Sequence, residues 1–153
     1  MHRFLSNWTN GVDAKGRVSV PASFRQVLAA RGVNELFAIQ AIGRPAIDVG
    51  GPDLLERYEK RMEEVDPFSQ AYQDLALFAF GDGKFLKYDA EGRIGVNDFI
   101  RSHTGITDQV VFVGARDHFQ LWEPARFETY RGEARERLLA GRMGASPTQR
   151  SPE

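Results

Sequence analysis

Two stretches of the sequence set an aspartate and an arginine four residues apart around a glycine: Asp13-Ala14-Lys15-Gly16-Arg17 and Asp89-Ala90-Glu91-Gly92-Arg93. Two kinds of chemistry fit such residues. Aspartates related by an internal repeat could meet as a carboxylate dyad sharing one proton, as in aspartic proteases. Alternatively, each aspartate fixes a loop from which cationic side chains reach phosphates or base edges. The arginine four residues on opposes the dyad, because it lowers a carboxylate pKa and favours a fixed charge, and neither aspartate sits in an Asp-Thr/Ser-Gly context. His2, His103 and His118 are scattered, without His-x-x-x-His spacing or a carboxylate companion to mark a zinc site. His118 alternates with Phe119 and reads as a partly buried structural residue. Gly81-Asp82-Gly83-Lys84 lacks the length and the hydroxyl residue of a phosphate-binding loop, so it reads as a helix stop. Neither an enzyme nor a metal or other cofactor is expected.

The elements that must position these loops are themselves repeated. Asp13 to Arg25 aligns without a gap on Asp89 to Arg101, sharing Ala14/Ala90, Gly16/Gly92, Arg17/Arg93, Val20/Val96 and Arg25/Arg101. Each Asp-x-x-x-Arg has the length of a three-residue hairpin loop in which glycine takes the positive-φ position. The aspartate then either faces its arginine across the ribbon or binds backbone N–H groups of its own turn. Val18 and Val20 alternate with Ser19 as a half-buried strand. Pro21 opens a helix with Phe24, Val27 and Leu28 on its apolar side, stopped at Gly32. Phe4 to Val12 reads as an irregular strand, and Glu35 to Ala41 and Ala46 to Val49 as two more around a Gly43-Arg44-Pro45 turn. Pro52 opens a helix broken at Asp66-Pro67, and a second runs from Pro67 to Gly81 with Phe68, Ala71, Tyr72, Leu75, Phe78 and Ala79 in helical period. The order then repeats: strand Lys84 to Tyr88, the second loop, Asn97 as a helix cap, strands Gln109 to Val113 and His118 to Trp122, and a last helix opened by Pro124.

The paired, extended forms Asp-Ala-Lys-Gly-Arg-Val-Ser-Val-Pro and Asp-Ala-Glu-Gly-Arg-Ile, in this order and spacing, make the chain resemble MraZ, a family of bacterial transcriptional regulators. The resemblance covers nearly the whole chain. It implies an α+β fold: two AbrB-like swapped-hairpin β modules forming a pseudo-twofold β-barrel, with flanking helices. On that pattern the first module spans 7–54, a helical insert 55–82, the second module 83–126, a C-terminal helix 127–141 and a disordered tail 142–153. It further implies sequence-specific binding to double-stranded DNA at short direct repeats near the promoter of the cell-division and cell-wall gene cluster, including its own gene. It also implies a ring-like homo-oligomer. The expected DNA-binding residues are Arg17, Lys15, Arg3, Arg25, Arg93, Lys84, Lys87 and Arg101, with Asp13, Gly16, Asp89 and Gly92 holding the loops.

Composition bounds this reading. The chain has 153 residues, 42% hydrophobic and 27% charged, which is ordinary for a folded domain large enough to bury a core. It has no cysteine, consistent with a reducing cytoplasm, and no apolar run that would serve as a signal peptide or membrane span. A cytoplasmic, nucleoid-associated protein with no membrane partner is expected. The formal net charge of −1 hides polarity: Arg3, Lys15, Arg17, Arg25 and Arg31 face only Asp13 in the first 31 residues, while acids dominate Asp53 to Asp74. The two loops differ, since Lys15 is matched by Glu91, Ser19 by Gly95 and Pro21 by Asn97. The first loop is the expected DNA reader. Arg93 either contacts phosphate, helped by Lys84 and Lys87, or only pairs with Asp89. The alternative function is a ring-forming assembly protein with non-specific DNA binding, the insert residues Tyr58, Met62, Tyr72 and Phe78 serving as interface or as core.

Overall fold

The computed structural model describes residues 3–144. Its order is β1 (Asn7–Gly11), β2 (Arg17–Ser19), α1 (Ala22–Ala30), β3 (Leu36–Gln40), β4 (Ala46–Gly50), α2 (Pro52–Glu63), α3 (Gln70–Ala76) and a π-helical turn (Leu77–Gly81). The second half continues as β5 (Lys84–Leu86), β6 (Arg93–Gly95), α4 (Asp98–Thr104), β7 (Gln109–Gly114), β8 (Phe119–Trp122) and α5 (Pro124–Gly144). Residues 145–153, most of the tail expected to be disordered, lie outside the described residues.

Six strands form one antiparallel sheet in the order β1-β7-β8-β4-β3-β5. This order is unchanged when the repeats are exchanged, so the chain carries an internal twofold between β4 and β8. Each repeat's first strand lies on the other repeat's third: β1 on β7 and β5 on β3. The expected barrel is not formed. β1 and β5 are two open edges at opposite ends of the sheet, because β2 and β6, which could have closed it, leave the sheet and pair with each other.

Alternation along the strands separates two faces. Leu36, Ala38, Ile47, Val49, Val110, Phe112, Phe119 and Leu121 point to an inner face, where Val18, Val20, Phe24, Leu28, Ile94, Val96 and Ile100 complete the main core. The β2–β6 pair, α1 and α4 therefore form one layer over this face. On the outer face α2 packs through Leu54 on Ile39 and Ala79, and α5 packs through Phe127 and Tyr130 on Trp122 and Val111.

Two local expectations need correction. The second helix of the insert starts at Gln70, not Pro67, since Asp66 Oδ1 accepts the Phe68 N–H at 3.0 Å and Ser69 Oγ accepts the Tyr72 N–H at 3.2 Å as the cap. Phe68 is left 94% exposed. The same helix widens into the π turn, which sets Ala79 inward and leaves Phe78 and Phe80 partly exposed. Elsewhere the punctuation acts as read: Asn97 caps α4 by accepting the Ile100 N–H at 3.0 Å, and Gly105 closes it at φ 79°.

Candidate nucleic-acid interface

Each Asp-x-x-x-Arg loop is built the same way. In the first, Asp13 N–H donates to the Arg17 carbonyl at 2.7 Å and Gly16 N–H to the Asp13 carbonyl at 3.0 Å. Asp13 Oδ1 accepts the backbone N–H groups of Lys15 and Arg17, each at 2.9 Å, and Oδ2 accepts Arg17 Nε at 3.0 Å. Asp89 accepts the N–H groups of Glu91 and Arg93 and the Nε of Arg93 at 3.0, 2.9 and 3.0 Å. Gly16 and Gly92 hold φ of 78° and 79°, a conformation in which a Cβ is strained. Both roles open for the aspartate are thus filled at once. The backbone donation of Arg17 is the main cause holding the Asp13 carboxyl below its ordinary value, as that of Arg93 is for Asp89. Each carboxylate is thus taken up by donors of its own loop rather than by the other aspartate.

The pairing of β2 with β6 brings the two loops to one surface. Arg17 lies opposite Gly95, Val18 opposite Ile94 and Ser19 opposite Arg93, and Val20 N–H and Val96 N–H reach across to the Gly92 and Gly16 carbonyls at 2.9 and 2.8 Å. Val18 and Ile94 are buried, so by strand alternation Arg17, Ser19, Arg93 and Gly95 all face away from the core. Arg17 and Arg93 are diagonal neighbours across a two-stranded ribbon, for which the spacing is about 7–8 Å.

The ribbon is symmetric in backbone and asymmetric in charge. Arg17 spends its Nε on Asp13, and among the described residues its terminal guanidinium nitrogens have no ion pair; its side chain is 34% exposed and Lys15 beside it is exposed. Arg93 is clamped: Asp89 takes its Nε and Glu91, at the position of Lys15, takes Nη2. The Asp89 hydrogen bond, with the charges of Asp89, Glu91 and Asp13, raises the Arg93 pKa further. Gly95 opposite Arg17 leaves open space where a side chain would stand. A shallow cleft lined by Trp8, Asn10, Ser19, Ser23, Arg25 and Gln26 flanks β2, and Asn10 Nδ2 donates to the Ser19 carbonyl at 2.7 Å.

The other expected residues are placed unequally. Arg25 Nη1 donates to the Val20 carbonyl at 2.6 Å, and its side chain lies against Gly92 of the other loop. Arg101 donates to the carbonyls of Val96 and Thr107 at 3.1 and 2.7 Å. Both therefore brace the ribbon. Lys84 sits over the Phe99 ring, 5.5 Å from its centroid, and Lys87 is exposed just before Asp89. Arg3, exposed next to Phe4, lies at the opposite end of β1 from the first loop, and Phe4 N–H donates to the Arg116 carbonyl at 2.9 Å there.

Sequence reading missed one polar cluster. His118 does have a carboxylate companion: its Nε2 lies 3.2 Å from Asp48 Oδ1, which also accepts Gln120 Nε2 at 2.7 Å. Arg57 Nη1 lies 2.9 Å from His118 Nδ1. Because arginine only donates, Nδ1 is the acceptor toward Arg57 and Nε2–H the donor toward Asp48. Burial pushes the Asp48 carboxyl up, while the hydrogen bond and charge of His118, the Gln120 bond and the Arg44 charge pull it down and leave it below its ordinary value. Burial, with the Asp48 charge, pushes the Tyr58 hydroxyl to about 12. The available signal was an aspartate inside the otherwise apolar strand Ala46-Ile47-Asp48-Val49. Among the described residues no three His, Asp or Glu side chains gather as metal ligands, and no helix is long and apolar enough to cross a membrane.

Residues 79–142 match the family model described as "MraZ protein, putative antitoxin-like". The transcriptional regulator MraZ of Rhizobium johnstonii is 57% identical over 143 residues, covering 93% of this chain and 99% of that one. Those of Xanthobacter autotrophicus and Parvibaculum lavamentivorans are 39% and 38% identical over 152 residues, covering 99% of this chain and 97% and 94% of theirs. Matches at this level span nearly the whole chain, and on that ground the chain belongs to the MraZ family.

Proposed function

We propose that the chain is a sequence-specific DNA-binding transcriptional regulator whose reading surface is the outward face of the β2–β6 ribbon. The observation that carries this is Arg17: a rigidly held guanidinium with its terminal nitrogens directed away from the core and unpaired among the described residues. A two-stranded ribbon fits the major groove, and arginine meets the O6 and N7 of guanine through two parallel bonds. In this reading the interleaved repeats are AbrB-like swapped-hairpin modules and Lys15 contacts phosphate. Arg93 contributes less because Glu91 and Asp89 hold it. Lys87, Lys84 and Arg3 are supplementary phosphate contacts, while Arg25 and Arg101 act through the loops they brace.

The ribbon surface itself carries three cations (Lys15, Arg17, Arg93) and three anions (Asp13, Asp89, Glu91), so one chain has little non-specific attraction for a polyanion. Tight binding then requires several chains. We assign to the protein a ring-like homo-oligomer that engages short direct repeats about one helical turn apart. The target that fits the family is the promoter of the cell-division and cell-wall gene cluster, including its own gene, in the cytoplasm at the nucleoid. A mobility-shift titration of the DNA upstream of its own gene, against a shuffled duplex at one salt concentration, tests the reading. Nanomolar, sequence-dependent retardation is expected. Equal, weak retardation of both duplexes would favour an assembly protein with non-specific DNA binding.

A further inference from the structure

The twofold that relates the repeats makes α2 and α5 equivalent helices on the outer face, yet they end differently. Pro52 matches Pro124, Leu55 matches Phe127 and Tyr58 matches Tyr130. At Asp66-Pro67 the first repeat breaks and folds back as α3, whereas at the matching Leu138-Leu139 the second continues as helix to Gly144. Tyr130 is the last α5 residue packed on the sheet cluster. The residues beyond it have no cover corresponding to α3. Leu138 is 72% exposed and Leu139 47%, and Gly132 and Gly141 weaken the helix. A short helical extension without tertiary packing is marginal in water, so this one calls for a surface to lie on.

A surface of matching chemistry exists on the same chain, out of its own reach. Met62, Val65, Pro67, Tyr72 and Phe80 line an open groove where α2 meets α3 and the π turn, with Glu59 and Glu63 on its rim. Glu59 and Glu63 are exposed and make no ion pair among the described residues. On α5, Arg135 precedes Leu138 and Leu139 by three and four residues, so the three share one face, and Arg135 is likewise without an ion pair among the described residues. The internal twofold is perpendicular to the sheet and keeps both helices on one face. It therefore points the C-terminal ends of α2 and α5 in opposite directions.

We infer that the distal part of α5 docks into the α2–α3 groove of a second copy of this chain, with Leu138 and Leu139 on the apolar floor and Arg135 against Glu59 and Glu63. This is helix-in-groove recognition. Because donor helix and acceptor groove are different surfaces, the contact is heterologous and each copy can pass it on. The inference rests on the self-association proposed above and names its surface. Two full-length variants test it by light scattering after gel filtration, with circular dichroism confirming the fold: Leu138→Glu/Leu139→Glu, which disables the helix, and Glu59→Arg/Glu63→Arg, which disables the rim. Each alone is expected to fall to the mass of one chain, 17.2 kDa. An equimolar mixture retains one intact helix and one intact groove and is expected to recover a species of two chains. A wild-type protein that is already monomeric would remove the self-association reading and this inference with it. A wild-type assembly whose mass neither variant lowers would overturn this inference alone.

Discussion

Replacing Arg17 by alanine should abolish operator selection while the loop stays folded. The loop does not depend on the guanidinium, because Asp13 still accepts the N–H groups of Lys15 and residue 17, and Gly16 still donates to the Asp13 carbonyl. What is lost is a bidentate base contact of about 1–3 kcal/mol. At 1.4 kcal/mol per tenfold, that weakens each engaged chain roughly 5- to 150-fold. If two chains of one assembly bind adjacent repeats, the free energies add and the loss becomes about 25-fold to 20,000-fold. Arg93→Ala is the internal control. Its Nε and Nη2 are already taken by Asp89 and Glu91, so the expected loss is about threefold or less. Fluorescence anisotropy with operator and shuffled duplexes at one salt concentration measures both, and circular dichroism monitors the fold. Arg17→Ala binding the operator within about twofold of wild type would refute the assignment. Equal losses for Arg17→Ala and Arg93→Ala would refute the asymmetry drawn from Glu91.

Four further outcomes are expected. Glu91→Lys frees Arg93 and reproduces the Lys15 side, so binding to any duplex should strengthen, and the slope of log K against log salt should steepen by about 0.9 per added phosphate contact. Gly92→Ala should destabilise more than Gly16→Ala in urea titrations: both force a Cβ into positive φ at about 1–2 kcal/mol, but only at Gly92 does the new atom collide with Arg25. Asp48→Ala should cost about 1–3 kcal/mol by leaving the buried donor of His118 and the part-buried donor of Gln120 without their acceptor, and calorimetry should show the melting temperature down by about 2–12 °C. The folded pKa values of Asp13 and Asp89 lie below the ordinary 3.8, so their contribution is complete above that value and is lost only as pH falls through the folded pKa. Amide exchange by NMR should therefore keep Lys15, Arg17, Glu91 and Arg93 protected down to about pH 4. Loss of protection above pH 5 would contradict the bond pattern.

Local order was largely legible because it is written in single residues. Gly16 and Gly92 announced positive φ, Asn97 a cap, and the Val18-Ser19-Val20 alternation a half-buried strand, and each is found. What failed was pairing between distant segments. No periodicity distinguishes a strand that folds back on its own repeat from one that crosses to the other, since alternation fixes a face and not a neighbour. The barrel, expected from the family resemblance, fails because β2 and β6 pair with each other outside the six-stranded sheet. The start of α3 failed differently: Phe68 keeps the helical period, but the local bonds of Asp66 and Ser69 compete for the same backbone and win.

The crossing of β2 and β6 changes what the repeat means for function. Had each loop closed its own hairpin, duplication would give two separable sites, and loss of Lys15 to Glu91 would merely weaken one of them. With Arg17 and Arg93 as diagonal neighbours on one ribbon, the repeats form a single surface whose two halves share a backbone geometry and differ in charge. Glu91 then acts on the whole site. By holding Arg93 it leaves one guanidinium fork offered instead of two, which, on the proposed DNA-reading role, would give a pseudo-symmetric ribbon a direction along the duplex. A directional reader matches direct repeats, where every chain meets its repeat in the same sense, whereas a ribbon with two equivalent forks would match inverted ones. The α5-to-groove contact proposed above would also preserve one sense from chain to chain. The charge asymmetry at the ribbon and the proposed head-to-tail contact would therefore favour the same operator layout, although they arise from different residues of the same duplication.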